Sequence, residues 1–182
     1  MNPSHLPQGS QLHRMGAELY LEQVSLEALA HEHGTPLFVY SKAAMLQALG
    51  AYQRGLAGRQ ARIHYAMKAN STLAILQLFA QAGCGFDIVS GGELTRVLAA
   101  GGDPAKVIFS GIGKTRQEMR QALKAGIACF NVESEAELEK IGREIEKPLL
   151  AIGELGRRAQ AVVVELQGAQ DGEIEFIQFH AD

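Results

Sequence analysis

The chain has 182 residues, of which 47% are hydrophobic and 20% charged, as expected of a globular protein with a buried core. These values exclude a disordered or collagen-like chain, and a net charge of −3 without a Lys/Arg-rich run predicts no nucleic-acid partner. No apolar stretch approaches the roughly 20 residues that span a bilayer, and residues 1–11 lack a secretory signal pattern, so a cytoplasmic protein without membrane contact is expected.

The first predicted elements are two helices and a strand between them. A helix is predicted from Leu26 to Gly34, with Ser25 as its N-cap. The segment from Thr35 to Tyr40 is predicted to be a strand that opens with proline. A second helix is predicted from about residue 42 to 56. We therefore expect residues 1–34 to form an N-terminal extension that ends in the first helix.

A repeat of strand and helix organises the chain from residue 63 onward. Apolar, β-rich runs begin at residues 63, 86, 107 and 128, so their starts are 23, 21 and 21 residues apart. The segments between them have helical spacing and close in glycine-containing turns. Three of the helix starts carry a hydroxyl that is followed three residues later by glutamate, which predicts three capping boxes: Ser90 with Glu93, Thr115 with Glu118, and Ser134 with Glu137.

Repeated units of this kind require parallel strands joined by right-handed crossovers. The predicted fold class is therefore α/β, either an open doubly wound sheet or a closed (β/α)₈ barrel, and the period does not separate the two. About five such strands lie between Ile63 and Leu166, so the chain would hold about half of a barrel. For the apolar run from residue 174 to 179, the sequence does not distinguish a helix from a strand.

Lys68 follows the first of these strands and is the main candidate for chemistry. The carboxyl ends of parallel strands form the active-site side of α/β folds. Beside Ala66 and Ala69, the amine is expected to be partly desolvated, which favours the neutral form that attacks an aldehyde to give a Schiff base. The alternative is a lysine whose ammonium simply reaches water at the strand end.

Two carboxylates accompany Lys68 in the pattern. Asp87 lies in the next strand and is expected near the same end, where it can hold a protonated imine or, alternatively, cap local amides. Glu93 already has a capping role, so only proximity to the site would give it a second one. The turn from Ser110 to Thr115 is not a nucleotide-binding P-loop, because that pattern requires glycine where this chain has Ile108.

Cysteine and histidine spacing predicts no metal site. Cys84 and Cys129 lie 45 positions apart without CxxC spacing, which fits reduced thiols. His31 and His33 are two residues apart on a predicted helix, so their side chains lie on different faces.

The block YAMKAN at residues 65–70 resembles the pyridoxal-phosphate attachment motif of the ornithine, arginine and diaminopimelate decarboxylases. This family has the alanine-racemase type of barrel, so the resemblance favours the barrel over the open sheet. The resemblance covers about residues 17–141, and further blocks resemble the diaminopimelate branch in the same order: Gly34–Ser41, Gly85–Leu94, Phe109–Thr115 and Phe130–Ser134.

The resemblance implies that Lys68 binds pyridoxal 5′-phosphate covalently, with Asp87 and Glu93 contributing to cofactor binding. The implied activity is decarboxylation of meso-2,6-diaminopimelate to L-lysine, an amino-acid substrate, by an enzyme that is a homodimer when complete. The exact diamino acid stays open. A non-catalytic regulatory protein and a pyridoxal-phosphate homeostasis protein are the alternatives.

The resemblance ends near residue 142. The family's later blocks, with its phosphate loops and the glutamate that pairs with the pyridine nitrogen, have no counterpart in residues 143–182. We therefore predict three segments: the extension 1–34, a cofactor-binding barrel segment 35–142, and a divergent or truncated segment 143–182. A chain of this kind is expected to be poorly active by itself.

Overall fold

The computed structural model describes the backbone of residues 11–146, 161–164 and 176–177. The chain divides into two compact units, residues 1–61 and residues 62–182. No helix in the described ranges is long and apolar enough to cross a membrane. Most of the predicted segment 143–182 lies outside the described residues.

The first unit opens with a small antiparallel sheet that the sequence did not predict. Its strands are β1 (Leu12–Met15), β2 (Glu18–Leu21) and β3 (Val24–Ser25), in the order β1-β2-β3. Gly16, with a φ of 61°, lies in the turn between β1 and β2. Such a backbone conformation costs glycine little, so this residue permits the tight reversal.

Both predicted helices of this unit are confirmed. Helix α1 (Leu26–His33) begins at Ser25, whose Oγ accepts the amide of Ala28 at 3.3 Å. Helix α2 is Lys42–Gly55. Its N-cap Ser41 donates to Glu22 Oε1 at 2.5 Å. This hydrogen bond has the largest effect in lowering the pKa of the Glu22 carboxyl, and the hydrogen bond from the amide of Ala43 lowers it further.

The predicted strand from Thr35 to Tyr40 is wrong. Residues 37–40 are exposed and lie outside every strand that the structure describes, with Phe38 86% accessible. A β-rich composition favours extended backbone, but a strand also needs a partner for its backbone N–H and C=O groups. In the described part of the chain this segment has no such partner.

The second unit is built on a six-stranded sheet in the order β4-β5-β6-β7-β8-β9. The first five strands are parallel, as the repeat predicts, and β9 pairs antiparallel with β8. The strands are β4 (His64–Ala66), β5 (Gly85–Ile88), β6 (Val107–Phe109), β7 (Cys129–Val132), β8 (Ala161–Val164) and β9 (Phe176–Ile177). The run from residue 174 to 179 therefore contains a short strand.

The parallel strands alternate between a buried and a half-buried face. The buried side chains include Phe86, Ile88, Phe109 and Phe130, each at most 2% exposed. Burying one such side chain stabilises the fold by roughly 1.5–3 kcal/mol. The intervening helices are α3 (Leu73–Gln81), α4 (Gly91–Ala99), α5 (Arg116–Ala125) and α6 (Glu135–Glu146).

Only one of the three predicted capping boxes is complete. At Thr115, the hydroxyl accepts the amide of Glu118 and the Glu118 carboxylate accepts the amide of Thr115. Ser90 and Ser134 also accept the amide three residues later. Their partner glutamates instead accept the amide one residue before the serine, Val89 and Glu133, so the prediction of reciprocal boxes is wrong there.

Glu118→Gln is expected to reduce the free energy of unfolding at neutral pH by about 1–2 kcal/mol. The carboxylate accepts the amides of Gly91 and Thr115, at 2.9 and 3.0 Å, and these bonds lower the pKa of Glu118 below its ordinary value of 4.5. The stabilisation is therefore present above the unfolded pKa and is lost as pH falls through the lowered folded pKa. Urea unfolding at pH 7 and pH 3 measures this effect.

The matched control for that prediction is Glu139→Gln. Glu139 forms an exposed pair with Arg143, so its loss should change the free energy of unfolding by less than about 0.5 kcal/mol at either pH. If the free energy of unfolding fell by the same amount between pH 7 and pH 3 in wild type and in Glu118→Gln, the assignment of this pH dependence to Glu118 would be wrong.

Candidate functional site

Lys68 lies just beyond the carboxyl end of β4, on a 3₁₀ turn at Met67–Ala69. The turn carries its side chain past the strand, and Lys68 is exposed. The predicted partial desolvation of the amine is therefore not found. In the described part of the chain the amine forms no hydrogen bond or ion pair.

The neighbours of Lys68 are fixed on the helical side of the sheet. Tyr65 stacks on Phe79 with ring centroids 4.3 Å apart and donates to the carbonyl of Asn70 at 3.0 Å. The Asn70 side chain accepts the amide of Thr72 at 2.9 Å. The turn that carries Lys68 is thus held at both ends, because Met67 within it is also buried.

Asp87 lies at the same end of the sheet as Lys68. Its register partner in β4 is Ala66, two residues before the lysine. The carboxylate is half-buried, and its Oδ1 accepts the hydroxyl of Ser110 at 2.6 Å. Ser110 follows β6 directly, and its Oγ also accepts the side-chain amide of Asn131 in β7 at 3.0 Å. A hydrogen-bonded chain therefore runs across the ends of three neighbouring strands.

Glu93 is placed by its capping role. It lies in the first turn of α4, and its Oε2 accepts the amide of Val89 at 2.7 Å. This bond ties the carboxylate to the loop after β5, close in sequence to Asp87. Within the described ranges, no hydrogen bond or ion pair joins the side chains of Lys68, Asp87 and Glu93 to one another. The structure brings these three residues to one end of the sheet without direct contact between their side chains.

A buried ion pair lies behind the Ser110 turn. The Lys114 ammonium, with a fully buried side chain, pairs with Glu137 Oε1 at 3.2 Å. It also donates to the carbonyls of Gly111 and Asn131, at 2.6 and 2.7 Å. Lys114 thus links the β6–α5 turn, β7 and α6.

His64 lies at the other end of the site face, over Gly85. A Cβ at Gly85 would come within 2.5 Å of His64 Nδ1 and within 2.4 Å of the carbonyl oxygen of Lys106, so only glycine fits there. His64 Nδ1 is buried and has no hydrogen-bond partner among the described residues. Burial lowers the pKa of His64, against the opposing effects of backbone groups and the Asp87 charge. The imidazole is therefore favoured in its neutral form.

Both cysteines are free thiols. Cys84 is buried before β5, and burial raises its pKa. Cys129 lies in β7, where burial and then the Asp87 charge raise the pKa of the thiol. The thiolate form of both cysteines is therefore disfavoured at neutral pH.

Ser110, Asn131, Lys114 and Glu137 were not predicted as site residues. Ser110 and Asn131 could have been predicted from the alternation of side chains along the strands. Both are polar residues near the ends of apolar strands, and both lie on the same face of the sheet as Asp87. The burial of Lys114 carries no comparable signal in the sequence, since a lysine beside glycines ordinarily lies in solvent.

Comparison with known proteins supplies the family. Residues 42–169 match the family model described as the pyridoxal-dependent decarboxylase, pyridoxal binding domain. The chain belongs to this family. A diaminopimelate decarboxylase from Pseudomonas aeruginosa is 56% identical over 127 residues, which are 70% of this chain and 31% of that protein.

Solved structures of decarboxylases share the fold. The diaminopimelate decarboxylase from M. jannaschii is 29% identical with a TM-score of 0.74, over 87% of this chain and 36% of that one. The enzyme from Helicobacter pylori, solved with L-lysine, is 43% identical with a TM-score of 0.64, over 66% of this chain and 30% of that one. The predicted family and the α/β partial-barrel fold are confirmed.

The chain spans about a third of the length of the relatives that it matches. Pyridoxal phosphate is confirmed as the cofactor of the family. The described residues fit this group, because a free amine at a strand end is available for its aldehyde and a half-buried carboxylate is held at the same end of the sheet. The individual roles of Lys68, Asp87 and Glu93 stay predictions.

Proposed function

We propose that this chain is the cofactor-binding part of a diaminopimelate decarboxylase, with Lys68 as the residue that binds pyridoxal phosphate covalently. The observation that carries the proposal is the position of Lys68, directly after β4 at the carboxyl end of the parallel strands and beside the strand that holds Asp87. The family match and the named decarboxylase relatives support it.

The proposed roles follow from the chemistry of each group. Lys68 would hold the cofactor through its aldehyde carbon. Asp87 supplies a negative charge at the same end of the sheet as Lys68, and Glu93 holds the loop after β5. Pyridoxal phosphate supplies a conjugated ring that accepts the electron pair left when the carboxylate departs.

The substrate that we propose is meso-2,6-diaminopimelate, with L-lysine as the product. The support is the agreement of several separated sequence blocks with the diaminopimelate branch and the names of the similar enzymes. We also propose that the complete enzyme is a cytoplasmic homodimer.

Covalent trapping tests the cofactor role. The purified chain is mixed with pyridoxal phosphate and treated with borohydride, which reduces the carbon–nitrogen bond formed when the amine and aldehyde lose water. Peptide mass spectrometry should place one label on the peptide that contains Lys68. A label spread evenly over surface lysines, or none, would contradict the proposal.

A lysine-formation assay tests the activity. We expect little or no L-lysine from the 182-residue chain with pyridoxal phosphate and diaminopimelate, since the family's phosphate-binding and pyridine-binding blocks have no counterpart in it. Turnover at the rate of a full-length relative would refute this expectation. Cofactor that survives dialysis without borohydride would favour the homeostasis alternative, and co-purification with a full-length homologue would favour the regulatory one.

A further inference from the structure

We propose that Lys114 is a positioning residue for the site. Its buried ammonium holds Asn131, and Asn131 in turn fixes Ser110 and the Asp87 carboxylate through side-chain hydrogen bonds. The inference rests on the proposed function, because it assigns Asp87 to the cofactor site.

The hydrogen-bonded chain has a defined direction. An ionised carboxylate only accepts hydrogen bonds, so Ser110 must donate its single hydroxyl proton to Asp87 at 2.6 Å. Ser110 Oγ is then left to accept from the Asn131 amide group, at 3.0 Å. Each group has one possible role, and the orientation of Asp87 therefore depends on where Asn131 lies.

Lys114 holds the backbone at Asn131 from outside the sheet. Its three ammonium protons match three acceptors, the carbonyls of Gly111 and Asn131 and the carboxylate of Glu137. The side chain is fully buried, so water does not compete for these bonds. The carbonyl that it binds belongs to the same residue whose side chain reaches Ser110. The ammonium also fixes Gly111, the residue directly after Ser110.

Glu137 completes the anchor from α6. Its second oxygen accepts the amide of Glu133, and its own amide is capped by Ser134. Residues at the start of α6 therefore hold the Glu137 carboxylate independently of Lys114.

The test has two measurements: the magnetic resonance of the Asn131 side-chain amide in the cofactor-free chain, and borohydride trapping of pyridoxal phosphate on Lys68. The side-chain amide resonance of Asn131 is assigned by its loss in Asn131→Asp. Ser110→Ala and Lys114→Met should each shift this resonance and raise the pyridoxal phosphate concentration for half-maximal trapping on Lys68 by about tenfold. Ser110→Thr, which keeps the hydroxyl, should restore trapping to within about twofold of wild type.

Lys124→Met is the matched control, because Lys124 is exposed on α5, the helix that follows the Lys114 turn, and should change neither measurement. The double variant Lys114→Met with Glu137→Leu separates positioning from stability. Replacing a buried ion pair with apolar side chains commonly preserves the fold, but it does not restore the bond to the Asn131 carbonyl. The double variant should therefore fold and still show the shifted resonance and the weaker trapping.

A wild-type resonance and wild-type trapping in the folded double variant would overturn the inference. If wild type trapped no pyridoxal phosphate on Lys68 but the variants still shifted the Asn131 resonance, the proposed function would be wrong. The link from Lys114 to Asn131 would still hold. If wild type trapped pyridoxal phosphate but Lys114→Met did not shift the Asn131 resonance, only the positioning role of Lys114 would be wrong.

Discussion

Lys68→Ala is expected to lower borohydride-trapped pyridoxal phosphate at least about tenfold, because alanine has no nucleophile to join to the aldehyde. Lys68 is exposed at the end of β4 and its amine has no competing partner in the described part of the chain. Removing it changes no core contact, so the free energy of unfolding should change by less than about 0.5 kcal/mol. Trapped cofactor is measured by mass spectrometry of the intact chain.

Two other lysines provide the controls for that experiment. Lys124 and Lys140 are exposed on α5 and α6. Their replacement by alanine should leave trapping within about twofold of wild type, since neither lies at the carboxyl end of a strand. Equal trapping in Lys68→Ala and wild type would show that the cofactor reacts with general surface amines. The family match would stand in that case, but the assigned attachment residue would be wrong.

Lys114→Met and Glu137→Leu should each destabilise the chain by about 3–5 kcal/mol, because each leaves one buried charge without its partner. Lys114→Met also leaves the carbonyls of Gly111 and Asn131 without their donor. The double variant should recover the part of that loss that comes from the uncompensated charge, while the carbonyls of Gly111 and Asn131 and the amide of Glu133 still lack their partners. Urea unfolding of all four proteins completes the cycle.

Additive losses would contradict this account of the pair. If the double variant were as unstable as the sum of the two single variants, Lys114 and Glu137 would be stabilising the fold through independent contacts. The exposed Glu139–Arg143 pair on α6 is the reference, because breaking it should cost less than about 0.5 kcal/mol.

Much of the second unit could be predicted from the sequence because its signals are local and repeated. The 21–23-residue spacing and the serine or threonine caps fix where strands and helices alternate, and the parallel order follows from handedness. The same reasoning places Lys68 and Asp87 at one end of the sheet. The resemblance was needed to choose the barrel, since an open sheet has the same period.

What the sequence did not predict depends on contacts between distant residues. The segment from Thr35 to Tyr40 has strand composition, but its partner is not a local property. The small sheet of β1 to β3 depends on a glycine turn and on pairing across it. The exposure of Lys68 depends on a 3₁₀ turn, and the burial of Lys114 depends on α6. The domain limits at residues 34 and 142 stay a prediction.

The close approach of His64 to Gly85 restricts which sequences this fold can accept. Gly83, two positions earlier, has a φ of 82° and open space around it, so asparagine is a tolerable replacement there. At Gly85 the obstacle is volume, since any side chain meets the Lys106 carbonyl and the imidazole. In a library that randomises this turn, position 83 should recover a small set of residues and position 85 almost none but glycine. A smaller residue at position 64 would not relieve this restriction, because the Lys106 oxygen belongs to the backbone.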